Sequence, residues 1–154
     1  MTSTAARRRT VHHRPHPTHP PPGQPLRAVL DLGAVPTAPG CARAWTQVIL
    51  REWRLAAISD ASELIVSELT TNGVLASRRE GRPFIRLILT LGDGELAILV
   101  RDYCTSAPQP RDAGADDEDG RGLLLVQAMS GRSGWYPAED GTPGKVVWAI
   151  ASTE

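Results

Sequence analysis

Lysine occurs once in this chain, at Lys145, and histidine is confined to His12, His13, His16 and His19. No GxxxxGK[ST] run leads to Lys145, which excludes a Walker-type nucleotide site. With no histidine after His19, a folded domain has none to give to a Ser-His-Asp triad, a Cys-His dyad or a histidine-bearing zinc site. The two cysteines, Cys41 and Cys104, lie far apart and lack any CxxC partner. They read as free thiols of a cytoplasmic protein, since no signal peptide points to an oxidising compartment. Nothing in the composition suggests a fibre or a membrane span.

What remains is 154 residues, 41% hydrophobic and 22% charged, with 17 basic and 17 acidic side chains, enough for one globular domain. The balance is uneven along the chain. Residues 1–25 hold Arg7, Arg8, Arg9, Arg14, every histidine and six of the 13 prolines, with no acid. This stretch is nearly free of large apolar side chains, so it cannot bury enough surface to offset the entropy of ordering, and it reads as a solvated, disordered tail. Residues 26–154 then carry 13 basic and 17 acidic groups. An acidic domain argues against direct nucleic-acid binding, which needs a basic face.

The domain opens with Leu26 to Leu32, where Leu26, Ala28, Leu30 and Leu32 alternate with Arg27, Val29 and Asp31 as in a strand. After a Pro/Gly turn at Val35 to Gly40, helical spacing over Cys41 to Trp53 puts Ala44, Trp45, Val48, Ile49 and Trp53 on one side. A second helix is predicted from a Ser59 or Asp60 N-cap to about Ser77. Phe84 to Leu91 and Glu95 to Asp102 read as strands, joined in a hairpin by Gly92-Asp93-Gly94. Residues 103–120, with the acidic run Asp116 to Asp119, form a loop whose length points to function or disorder. A short helix from Leu123 to Met129 and two strands, Gly134 to Pro137 and Lys145 to Ala151, close the chain. Helices segregated from antiparallel strands imply an α+β domain with one helical layer on one sheet.

Three polar signals stand out. On the second helix Ile58, Ala61, Leu64, Ile65, Leu69 and Leu75 span one apolar arc, and Glu68 and Asn72, four residues apart, fall inside it. A carboxylate there needs a partner or a solvated cavity, so Glu68 is either half of a structural pair or a functional group. Asp102 follows the apolar run Leu96 to Val100 at the mouth of the long loop, as a turn former or as a ligand group. Gly120-Arg121-Gly122 precedes a helix, where glycines and the helix dipole favour an anion, although GxGxxG would need glycine at Leu125.

Ser67-Glu68-Leu69-Thr70-Thr71-Asn72-Gly73-Val74, Val100-Arg101-Asp102 with Pro108 beyond it, Gly120-Arg121-Gly122-Leu123 and Gly144-Lys145-Val146-Val147-Trp148-Ala149 together resemble the GHKL ATPase superfamily. The chain is most similar to the single-domain branch of anti-sigma-factor serine kinases and their actinobacterial relatives, over residues 26–152. Arginine used almost to the exclusion of lysine, with abundant alanine and glycine, fits the GC-rich genome of such a source. The resemblance implies a Bergerat fold, a two-layer α/β sandwich with a mixed, mostly antiparallel sheet, binding ATP and Mg²⁺.

By that resemblance Asn72 would coordinate Mg²⁺, Glu68 would act as catalytic base, and Asp102 would accept a hydrogen bond from the adenine amino group. The backbone of Gly120, Arg121, Gly122 and Leu123 would cradle phosphate, with Arg121 offering a charge contact. Each position carries suitable chemistry: a hard oxygen donor, a base, an acceptor and an anion nest. Three places depart from the family pattern. Gly73 stands for the usual alanine after Asn72, Ala76-Ser77 for a histidine common a few positions on, and Val146 for a threonine of the adenine network.

The activity implied is a serine/threonine kinase acting on an anti-sigma-factor antagonist, with a sigma factor as second partner and regulation of transcription as the outcome. A homodimer is the expectation by analogy. The competing reading is a binding module that sequesters a partner without phosphoryl transfer. The catalytic domain of a histidine kinase is disfavoured, because all histidines are in the tail and no phosphoacceptor helix remains.

Overall fold

The computed structural model describes residues 24–108, 130 and 132–153. The elements are β1 (Leu26–Gly33), α1 (Ala38–Glu52), a single 3₁₀ turn (Ala56–Ile58), α2 (Ser59–Arg79), β2 (Phe84–Gly92), β3 (Glu95–Asp102), β4 (Arg132–Pro137) and β5 (Lys145–Ser152). The expected tail, the acidic run, the segment Gly120, Arg121, Gly122, Leu123 and the helix that was to follow lie outside the described residues, except for Gln24 and Pro25 of the tail.

One sheet of order β1-β2-β3-β5-β4 carries the fold, and all its ladders are antiparallel. Period-2 alternation decides its inner face. Leu87, Leu89, Leu96, Ile98, Val100 and Ala149 are all at most 1% exposed and form the core with Leu50, Ile65, Val66 and Leu69 from the helices. The protein is therefore α+β, with an antiparallel sheet and two α-helices among the described residues. The β2–β3 link is tighter than a glycine-rich loop: Gly92 pairs with Glu95, leaving Asp93 and Gly94 as a two-residue turn. Both have positive φ, 51° and 73°, the type I′ geometry whose twist matches that of the strands.

Helix α1 starts three residues before the predicted Cys41, because Pro39 sits in its first turn, where the missing N–H has no partner to lose. Its buried line is Ala38, Ala42, Thr46 and Leu50, spaced by four, while Val48 is half exposed and Ala44 faces solvent. The predicted face is thus rotated: α1 packs along α2 through its small residues, and Trp45, Ile49 and Trp53 pack at the edge of the core. The helix ends in a Schellman pair, Leu55 N–H to Leu50 O at 2.7 Å and Arg54 N–H to Arg51 O at 3.1 Å. Arg54 takes the left-handed position at φ 60° that glycine usually fills.

Ser59 is the first helical residue of α2 and not its cap; Ile58 occupies the cap position and no side chain caps the helix. The Ser59 hydroxyl donates to Glu63 at 2.7 Å. The fully buried line of α2 is Ser62, Ile65, Val66, Leu69, Thr70, Gly73, Val74 and Ser77. Ile58, Ala61, Leu64 and Leu75, predicted to be core, are only partly buried, as are Glu68 and Asn72. Small residues serve as core here because they let α2 approach the sheet. A Cβ on Gly73 would stand 3.1 Å from Val100 Cγ1 and 3.6 Å from Ile85 Cγ2.

A left-handed non-glycine residue costs about 1–2 kcal/mol, of which glycine's greater unfolded-state entropy returns a part. Arg54→Gly should therefore raise stability by about 0.5–1 kcal/mol and the melting temperature by a few degrees in a calorimetric scan. A lower melting temperature would show that the Arg54 side chain makes a compensating contact.

Candidate functional site

The strand pattern that buries Leu96, Ile98 and Val100 also carries Asp102, two residues on, to the same face. Its carboxylate lies beneath α2 at the end of β3, 2% exposed. Directly across the ladder stands Lys145, the first residue of β5 and 4% exposed. The Lys145 ammonium donates to Asp102 Oδ1 at 3.0 Å and stands 2.9 Å from Oδ2. Oδ1 also accepts the Cys104 backbone N–H at 3.0 Å.

Gly144 makes this register possible. A Cβ there would come within 2.4 Å of the Asp102 backbone oxygen, and its φ of 149° is one that other residues rarely adopt. The β4–β5 turn is braced from the outer face, where the Arg101 guanidinium donates to Asp140 and Thr142 and stacks 4.8 Å from the centre of the Tyr103 ring. Arg101 in turn holds the Asp140 carboxyl well below the usual carboxylate range, helped by the Thr142 hydroxyl and backbone N–H.

Asp102 and Lys145 line a cavity of about 200 Å³. Val100 and Val147 form its apolar floor, Asn72, Gly73 and Ala76 its wall on α2, and the segment Cys104–Pro108 its other side. That segment is tied to the end of α2 by Glu80, which accepts the Thr105 N–H at 3.2 Å and the Ser106 hydroxyl at 2.8 Å. Those donors, the hydroxyl foremost, hold Glu80 below its ordinary pKa. The Cys104 thiol, 1% exposed, is pushed up to about 11, first by burial and then by the Asp102 charge.

Of the residues singled out from sequence, Asn72 and Asp102 thus meet on one cavity. Glu68 lies one turn before Asn72, partly buried, and is not part of the lining. Lys145, Glu80 and Cys104 were not foreseen as part of the site. Lys145 had a signal available: a chain that otherwise uses arginine places its one lysine at the start of a strand.

A family model for the histidine kinase-like ATPase domain matches residues 33–150. The chain belongs to that family. No curated protein matches it. A histidine kinase-like ATPase domain supports ATP binding, and the matched span contains the α2 helix, the residues that line the cavity and the Gly120-Arg121-Gly122 sequence. Among the described residues, no helix of this ATPase domain is long and apolar enough to cross a membrane.

Two outcomes test the geometry. Removing one partner of a buried ion pair leaves a desolvated charge, so Lys145→Met should destabilise the domain by about 3–5 kcal/mol in urea unfolding. Adding Asp102→Asn should restore much of that loss, and simple additivity of the two changes would refute the pair. Since the thiolate is the reactive form, iodoacetamide at pH 7.5 should modify exposed Cys41 and spare Cys104 until the protein unfolds. Equal rates at the two thiols would contradict the burial of Cys104.

Proposed function

We propose that this protein is an ATP- and Mg²⁺-dependent serine/threonine kinase that phosphorylates an anti-sigma-factor antagonist and holds a sigma factor inactive, as a cytoplasmic homodimer. The observation that carries this reading is the convergence of Asn72 and Asp102 on one cavity in a chain of the histidine kinase-like ATPase family. The donor set suits the cofactor. The cavity joins an apolar floor to a carboxylate, as a purine base requires. Mg²⁺ keeps several waters and takes few protein ligands, so the Asn72 carboxamide oxygen is a sufficient protein contribution. Among the described residues no cluster of three or more His, Cys, Asp or Glu offers a closed metal cage, which Mg²⁺ with a nucleotide does not need.

Bound ATP would supply the electrophilic γ-phosphoryl group. Asp102 orients the base, and the backbone of Gly120, Arg121, Gly122 and Leu123 takes the phosphates in the family's pattern. Glu68, one helical turn from Asn72 and away from the base, accepts the proton of the target hydroxyl as the new O–P bond forms and ADP leaves. The separation of Glu68 from the cavity suits this division, because the reacting group lies at the far end of the nucleotide from the base.

The second reading, a non-catalytic regulator that binds its partner on a degenerate or ATP-binding-only fold, draws support from the Asp102–Lys145 pair. The acceptor expected to read adenine already holds an ammonium.

The two residues on α2 should fail differently. Asn72→Ala should weaken ATP binding in the presence of Mg²⁺, measured by calorimetry. Glu68→Gln should keep binding nearly intact and slow transfer of labelled γ-phosphate to an antagonist protein by about 10² to 10⁴. Wild-type protein that binds ATP, transfers no phosphate, and still captures its partner as Glu68→Gln would decide for the non-catalytic regulator.

A further inference from the structure

The Asp102–Lys145 pair presents both signs of hydrogen-bonding capacity to the cavity. A carboxylate oxygen has two lone pairs, and those of Oδ1 are taken by Cys104 N–H and the Lys145 ammonium. Oδ2 keeps acceptor capacity beside the same ammonium, at 2.9 Å. Lys145 has three donor hydrogens and gives one to Oδ1. An acceptor and a donor therefore stand side by side at the end of an apolar slot.

The edge of a purine carries complementary groups in two orders. Adenine shows a donor, its 6-amino group, next to an acceptor, N1. A 6-oxopurine shows an acceptor, O6, next to a donor, N1–H. A lone carboxylate accepts the 6-amino group of the first order without conflict, whereas accepting N1–H of the second brings O6 beside like charge with no donor to meet it. With Lys145 beside it, either order finds both partners after a small lateral shift.

Resting on the nucleotide-binding reading above, we propose that Lys145 makes the base pocket accept 6-oxopurine as well as adenine nucleotides, donating to O6 of the former and to N1 of the latter. Val146, paired with Arg101, is turned to the outer face and is not part of the cavity lining, so Lys145 is the β5 side chain that brings a donor to the slot.

The experiment is calorimetric titration of the full chain, with Mg²⁺, against ATP, ITP and 1-deaza-ATP, which lacks the N1 acceptor. Wild type should bind ITP within about tenfold of ATP, and 1-deaza-ATP about 10- to 150-fold more weakly than ATP, the range for a hydrogen bond from a charged donor. In Lys145→Thr, whose fold is checked by circular dichroism, ITP should fall by a further factor of about ten or more relative to ATP. The wild-type comparison stands even where that variant does not fold.

ATP binding without ITP binding, or 1-deaza-ATP binding as tightly as ATP, would mean that Lys145 only neutralises Asp102, and overturns the proposal while leaving the nucleotide site intact. An unchanged ITP-to-ATP ratio in folded Lys145→Thr also overturns it. Binding of none of the three nucleotides removes the nucleotide reading itself, and the proposal with it.

Discussion

The phase of β3 is the constraint on which the site depends. Leu96, Ile98 and Val100 must face the helices to close the core, and a strand with a two-residue repeat cannot do this without turning Asp102 inward as well. A carboxylate brought beneath α2 in this way is expensive unless something compensates it. The compensation comes from the neighbouring strand, whose register places Lys145 opposite, and from the chain's own turn, which donates the Cys104 N–H. Gly144 is the backbone condition for that register, since no side chain fits against the Asp102 carbonyl. Core packing and site chemistry are thus set by one alternation pattern.

That alternation is why β1, β2, β3 and β5 were legible in the sequence to within one residue at either end. It is also why Asp102 was legible as a candidate. Lys145 was not, because its partner is 43 positions away and only the β3–β5 pairing brings the two together. The roles given to Asn72 and Asp102 entered through resemblance, and the geometry adds that both line one cavity.

The helices show where hydropathy misleads. An apolar arc drawn through large side chains selected Ile58, Leu64 and Leu75 on α2, and Val48 on α1. The chain buries Ser62, Thr70, Gly73 and Ser77, and Ala42 and Thr46, in their place. Small side chains score poorly as core formers, yet they allow the close helix–helix and helix–sheet approach that lets Leu50, Leu69 and Val100 meet. Glu68 and Asn72 therefore lie beside the core and not within it, and the apparent buried carboxylate was an artefact of the arc. Their spacing of four remains informative, because it sets Glu68 one helical turn from Asn72, which lines the cavity.

Gly73 ties these observations together. Alanine at this position would gain about 1 kcal/mol of helix propensity. It would also press a methyl group against Val100, which shares the inner face of β3 with Asp102. The glycine that departs from the family pattern is therefore consistent with the close contact of α2 with β3, beneath which Asp102 and Lys145 are buried together.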